Sequence, residues 1–197
     1  MSKYKSESPI FKNNKKLFSV NAGKGKPIFT KQMGKIITQI ENSLTWYKRV
    51  FIVVFDLRVK VFTLDNKYMR VLLSKLRFYI KQYYKTERFG YSWCREQYRA
   101  LTQHYHMALM LDGAKIKYPH KLLNTIKRMW NEITNGGHLF TPKHCYYIIH
   151  REMKSVDDNT KEKAIYRISY QAKVKSKGKN TAKANDYGTS QIKAKLT

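Results

Sequence analysis

The chain is poor in acidic residues. Thirteen aspartates and glutamates face 40 lysines and arginines, leaving a formal charge of +27 and a pI near 10.1. Folding does not require such an excess, and self-repulsion works against it, so a polyanionic partner is expected. Nucleic acid is the first candidate and an anionic membrane surface the competitor. Cysteine is also scarce. Cys94 and Cys145 are too few for a disulfide framework and lack CxxC spacing, so both are expected to be reduced and half-buried. No segment approaches the roughly 20 consecutive apolar residues a membrane span needs, and the start "MSKYKSESPIFKNNKK" has no apolar signal-peptide core. A cytoplasmic protein without membrane insertion follows as the expectation. What the chain does have is 42% hydrophobic and 14% aromatic content over 197 residues, enough for one principal globular domain with a true core.

The charge is concentrated at both ends. Residues 1–27 carry seven lysines against Glu7, and residues 171–197 carry seven against Asp186. Stretches such as "NAGKGK" and "KVKSKGKNTAKAND" hold little apolar surface to bury, so 1–27 and 176–197 are expected to be flexible basic arms around a domain spanning 28–175. "GKGK" at 23–26 lacks the spacing of a phosphate-binding loop.

Within that domain the hydrophobic periods alternate. Ile36, Ile37, Ile40 and Leu44 predict a helix within 28–49, and "VFIVVFDLRV" (50–59) reads as a central strand apolar on both faces. Asp65 precedes a helical stripe of Met69, Leu72, Leu73, Leu76 and Ile80 over 64–88. Strands follow at 89–97 and 103–111, joined by a hairpin-length connection. A helix at 119–135 opens on Pro119 and stops before Gly136 and Gly137, and a strand at 144–151 and a helix at 161–175 complete the order. This alternation predicts an α+β fold, a central antiparallel sheet with helices packed on it.

The sequence "QHYHMALML" puts two histidines two positions apart on a strand, so His104 and His106 project from one face while Tyr105, Met107 and Leu109 point to the other. If residues 96 and 104 pair across the hairpin, Glu96 joins them. Two imidazoles and a carboxylate suit a divalent cation with open positions, Mg²⁺ or Mn²⁺ ahead of Zn²⁺. Histidines on a half-solvated strand and a surface glutamate are equally ordinary, so spacing alone leaves both readings open.

A second group lies in "IYRISYQAKVK". On a helix Tyr166, Tyr170 and Lys173 share one face while Ile165, Ile168 and Ala172 occupy the other. A tyrosyl oxygen beside a cation-bound phosphate is a nucleophile for transesterification, and a nearby lysine offsets developing charge. Partly buried packing with a wet hydroxyl is the plain alternative in a chain with 15 tyrosines. Tyr83, Tyr84, Tyr91 and Tyr98 are further candidates, for stacking unpaired bases. His144 and His150 flank "HCYYIIH", and His150 is a candidate to approach the site from a neighbouring strand.

The order "FIVVFDL", "HYH", "YQAK" resembles the three motifs of the rolling-circle replication initiators and relaxases called HUH endonucleases. The words "YSWCRE", "HYHMALML", "YRISYQAKVKSK" and "YGTSQIK" resemble the YagK/YfjJ C-terminal domain family, also called inovirus gene-two-type, of prophages and filamentous-phage-like elements. The likeness covers about residues 50–192.

This resemblance implies an HUH-endonuclease-like fold, with His104 and His106 as the histidine pair, Glu96 as a third metal ligand, and Tyr170 and Lys173 as the tyrosine and lysine of the YxxK motif. Tyr166 matches the spacing of two-tyrosine initiators, with a one-tyrosine scheme equally open. Asp56, in the largely structural first motif, is an extra acidic group. The implied activity is nicking and rejoining of single-stranded DNA through a 5′-phosphotyrosine, initiating rolling-circle replication in the cytoplasm of a bacterial host. The expected partners are single-stranded origin DNA and the host helicase and polymerase, since no helicase segment follows the domain. The alternatives are a non-catalytic DNA- or RNA-binding protein of the same fold and a basic structural component of a nucleoprotein particle.

Overall fold

A computed structural model of the chain describes residues 4–97, 100–152, 159–174 and 184–196. Its centre is a single antiparallel sheet built on β5 (Arg49–Arg58), the continuous apolar strand of the sequence. β7 (His104–Asp112) pairs with β5 along its whole length, and β6 (Gly90–Glu96) pairs with the far side of β7. The other edge of β5 is shared by β8 (His138–Phe140), opposite residues 56–58, and β9 (Tyr146–His150), opposite residues 49–53. β10 (Tyr187–Thr189) closes the outer edge of β6.

Four helices among the described residues cover the sheet on both faces. α2 (Lys67–Tyr84) and α3 (His120–Thr134) bury Leu72, Leu76, Ile80, Ile126 and Trp130 against Phe51, Val53, Phe55 and Leu57. α1 (Thr30–Trp46) and α4 (Thr160–Ser169) bury Ile36, Ile37, Ile40, Ile165 and Ile168 against Val50, Ile52 and Val54. The period-2 alternation of β5 therefore feeds two cores, which is why the strand lacks a polar face. Asp65 contributes to the start of α2 by accepting a hydrogen bond from the Lys67 amide at 3.0 Å. No described helix is long and apolar enough to cross a membrane.

Both ends of the chain depart from the flexible arms expected of them. After β1 (Lys5–Ser6), the strands β2 (Ile10–Asn13) and β3 (Lys16–Ser19) form a hairpin, and β4 (Ile28–Phe29) pairs with β1. Phe18, Val20 and Ile28 are buried in the second core beside α1 and α4. Average composition hid these residues: three well-spaced apolar side chains suffice to anchor a lysine-rich segment whose ammonium groups stay in water. At the other end β10 docks on β6, and the Gln39 side chain accepts hydrogen bonds from Ser190 Oγ (2.6 Å) and the Ile192 amide (2.8 Å). Residues 176–183 and 197 of the expected tail, and residue 175 before it, lie outside the described residues. The short strand β8 was not expected at all, because three residues after a glycine pair carry too little periodicity to register.

Gly188 sits opposite Trp93, where a Cβ would come within 2.6 Å of the indole ring. Gly188→Val should therefore lift β10 off the sheet. A loss of about 1–3 kcal/mol in stability is expected from overpacking, with faster amide exchange at residues 187–192. Unchanged exchange there would contradict the docking of this strand.

Candidate metal centre and tyrosine

The second core ends in a polar patch. Along β5 the residues facing α1 and α4 are Val50, Ile52, Val54 and then Asp56; along β7, read toward its start, they are Met110, Ala108, His106 and His104. β6 supplies Cys94 and Glu96 to the same face, directly opposite His106 and His104. The expected pairing of residues 96 and 104 is the register observed. Three adjacent strands thus bring two carboxylates, two imidazoles and a thiol to one place by alternation alone.

Glu96 is buried, and its Oε2 lies 3.2 Å from His106 Nε2 and 3.7 Å from His104 Nε2. Its Oε1 faces the Cys94 thiol at 3.7 Å. Ligand atoms of Glu96, His104 and His106 all lie within 4.8 Å of one another, close enough to share one metal ion. A buried carboxylate is costly without a positive partner, and here its partners include imidazole nitrogens, themselves ligand atoms. The donor set therefore fits a metal ion, and the three residues expected from sequence to hold one are together.

Asp56 has a more definite place than the sequence gave reason to assign. Its Oδ1 lies 2.6 Å from His106 Nδ1, so the carboxylate fixes the imidazole with Nδ1 protonated and Nε2 turned to Glu96. A carboxylate behind a metal-binding histidine orients the ring and raises its basicity. The signal available in the sequence was an aspartate on the apolar face of a strand otherwise built of valine, isoleucine and phenylalanine. The charges behave accordingly. Burial lowers the His106 pKa, but the hydrogen bonds to Asp56 and Glu96 outweigh it and push it up to about 9. His104 moves the other way, held below its ordinary value by burial and the neighbouring His106, with Glu96 and Asp56 opposing.

The last helix stops sooner than expected. α4 ends at Ser169, Tyr170–Ala172 tighten into a 3₁₀ turn, and Lys173 bridges back to Ile28. This turn is held from several sides: Gln32 Nε2 donates to the Gln171 carbonyl at 2.8 Å, and the Asn21 amide donates to Ser169 Oγ at 2.7 Å. The N-terminal segment thereby fixes the piece of chain that bears Tyr170. The Tyr170 ring meets His106 edge to face, with centroids 5.0 Å apart, and Lys173 Nζ lies 5.1 Å from the centre of the Tyr170 ring. Burial raises the Tyr170 pKa, and Glu96, Cys94 and Asp56 add to the effect, so the metal-free site keeps the phenol protonated. Burial and Lys26 lower that of Lys173, against a pull from Glu96.

Tyr166 stands one helical turn before Tyr170 and lines a cleft of about 940 Å³ that also reaches Asp56, His106 and Tyr170. His144 lines the same cleft. His150 does not approach the centre: it pairs with Arg49, about 23 Å along β5 from Asp56 at the usual rise per residue. Of the tyrosines expected to stack bases, Tyr84 and Tyr91 pack against the first core, and Tyr83 stacks on Tyr79 and receives a hydrogen bond from Lys121. Tyr98 lies outside the described residues.

With no ion bound, His106 keeps its proton until about pH 9, and a cation taking Nε2 must expel it. Affinity for Mn²⁺ is therefore expected to rise between about pH 7 and pH 9 by nearly ~10-fold per unit, the slope for release of one proton. Calorimetric titration of chelator-treated protein measures this. Asp56→Asn lowers the His106 midpoint and flattens the rise; an affinity independent of pH would contradict His106 as a ligand.

Comparison with known proteins adds the family. Residues 10–190 match the YagK/YfjJ C-terminal domain. No curated protein and no solved structure matches the chain. The match runs from the first strand of the N-terminal hairpin to the segment that closes the sheet, and the chain belongs to the YagK/YfjJ C-terminal domain family.

Proposed function

We propose that the protein is an HUH-type tyrosine endonuclease that nicks and rejoins single-stranded DNA, initiating rolling-circle replication of a phage-like or plasmid-like element. The observation that carries this reading is the contact of the Tyr170 ring with His106, which places a phenol beside a Glu, His, His cluster able to hold a cation. The net charge of +27 supports a polyanionic substrate. Mg²⁺ or Mn²⁺ held by Glu96, His104 and His106 would supply Lewis-acid stabilisation of the phosphate.

The protein's own residues would act as follows. Tyr170 Oη attacks phosphorus in line, the bond from phosphorus to the 3′ oxygen breaks, and a 5′-phosphotyrosine forms. The phenolic proton is lost to water and the departing 3′ oxygen takes one up, so the balance is neutral. One phosphodiester replaces another, which lets the free 3′ hydroxyl reverse the step after priming synthesis. Lys173, beside the Tyr170 ring, is placed to offset negative charge as it develops. Asp56 acts through His106 as a positioning residue. Burial of the phenol, with Glu96, Cys94 and Asp56 adding to it, disfavours a phenolate in the free protein, so Tyr170 would become reactive only when positive charge and substrate arrive together.

Labelled single-stranded oligonucleotides tiling the replicon that encodes the protein, incubated with Mn²⁺, should yield a covalent adduct stable to denaturation. Tyr170→Phe is expected to reduce it by at least ~10³-fold, the scale for loss of a nucleophile, and chelation should abolish it. Equal adduct from Tyr170→Phe would refute the nucleophile. Binding of DNA without any adduct would leave the non-catalytic binding protein as the function.

A further inference from the structure

The cleft beside the metal cluster has walls of a particular kind. Lys163, Tyr166 and Arg167 on α4, and Tyr170 at the start of the 3₁₀ turn that follows it, stand at spacing i, i+3, i+4 and i+7, and all four line it. The stripe thus runs from two cations and an aromatic ring to the tyrosine at the cluster. Across the cleft stand Phe140, opposite Asp56 on β8, and Tyr147, opposite Ile52 on β9, both on the sheet face that carries the site. The cleft lies where β8 gives way to β9 along β5, with Val54 among its lining residues.

Tyr166 differs from Tyr170 in ways that bear on its role. The Tyr170 ring packs against His106, whereas Tyr166 lies one turn, about 5.4 Å, farther along the helix and is 48% exposed. Its ring is available as a flat platform at the cleft wall. Aromatic rings in a cleft lined by Lys143, Lys163 and Arg167, against the carboxylates of Asp56 and Glu162, are the chemistry that receives an unpaired nucleobase with its phosphates. A cavity of about 940 Å³ accommodates such a group, while a base paired in a duplex cannot enter it.

We propose that this cleft takes up one unstacked base of a bound DNA strand, next to the phosphate nearest the Glu96, His104 and His106 cluster, with Tyr166 as its stacking platform and Lys163 and Arg167 on the flanking phosphates. Tyr166 is then a binding residue and not a second nucleophile. The inference rests on single-stranded DNA as the substrate, but not on cleavage.

The test uses full-length protein, chelator throughout, and oligonucleotides carrying 2-aminopurine at successive positions. Binding should quench the fluorescence of one position at least about threefold more than its neighbours, as stacking on an aromatic ring does. Tyr166→Phe keeps the quench and Tyr166→Leu removes it, while circular dichroism confirms that both fold. A quench indifferent to Tyr166→Leu, or none at any position, overturns the proposal. With Mn²⁺ present, peptide mapping of the adduct should find DNA on Tyr170, and DNA on Tyr166 also overturns it. Should no adduct form while the quench pattern holds, the base-binding cleft stands and the nuclease falls.

Discussion

A carboxylate withdrawn from water, with two imidazole nitrogens as neighbours, is the constraint on which the site depends. Glu96 is 2% exposed, and burying its charge demands compensation that a protonated histidine or a cation supplies. Without an ion the proton on His106 does this, which is why that imidazole is held so basic. A metal ion taken up by this cluster would therefore compete with a proton for one place. Asp56 keeps the contest local by gripping Nδ1 and leaving Nε2 as the contested atom. The sheet makes the arrangement stiff, because Asp56, His106 and Cys94 are neighbours in register across three strands.

The rest of the fold serves to bring a tyrosine to that place. α4 packs its apolar stripe on the second core, and its last turn changes pitch where the chain meets β4 and α1. Gln32, Asn21 and Ile28 all engage this turn. The chain between Asn21 and Gln32, distant in sequence, is consequently part of the scaffold of the site. Under the proposed reaction such positioning would matter, since an in-line attack tolerates little misplacement.

Much of this was legible in the sequence. Elements with long, clear periods were found: the apolar run that became β5, the stripe of α2, and the hairpin whose register put Glu96 opposite His104. The metal trio was visible because strand alternation is a rigid rule, so His104 and His106 had to share a face. The lysine-rich ends misled, because composition averages over Phe18, Val20 and Ser190, the few residues that do the anchoring. The end of the last helix was also out of reach. Nothing local in "ISYQAK" stops a helix, and the switch to a 3₁₀ turn comes from contacts with Gln32 and Ile28 more than 130 residues earlier. Asp56 stands out in the sequence as an acid in an apolar strand, but its partner depends on which strand lies beside β5.

The most direct test is anomalous scattering from a crystal of the protein containing Mn²⁺. The account predicts a single strong peak bounded by Glu96 Oε2 and the Nε2 atoms of His104 and His106, with the Tyr170 hydroxyl on the same side of the sheet. A crystal showing the ion elsewhere, or Tyr170 turned away from an occupied site, would contradict it.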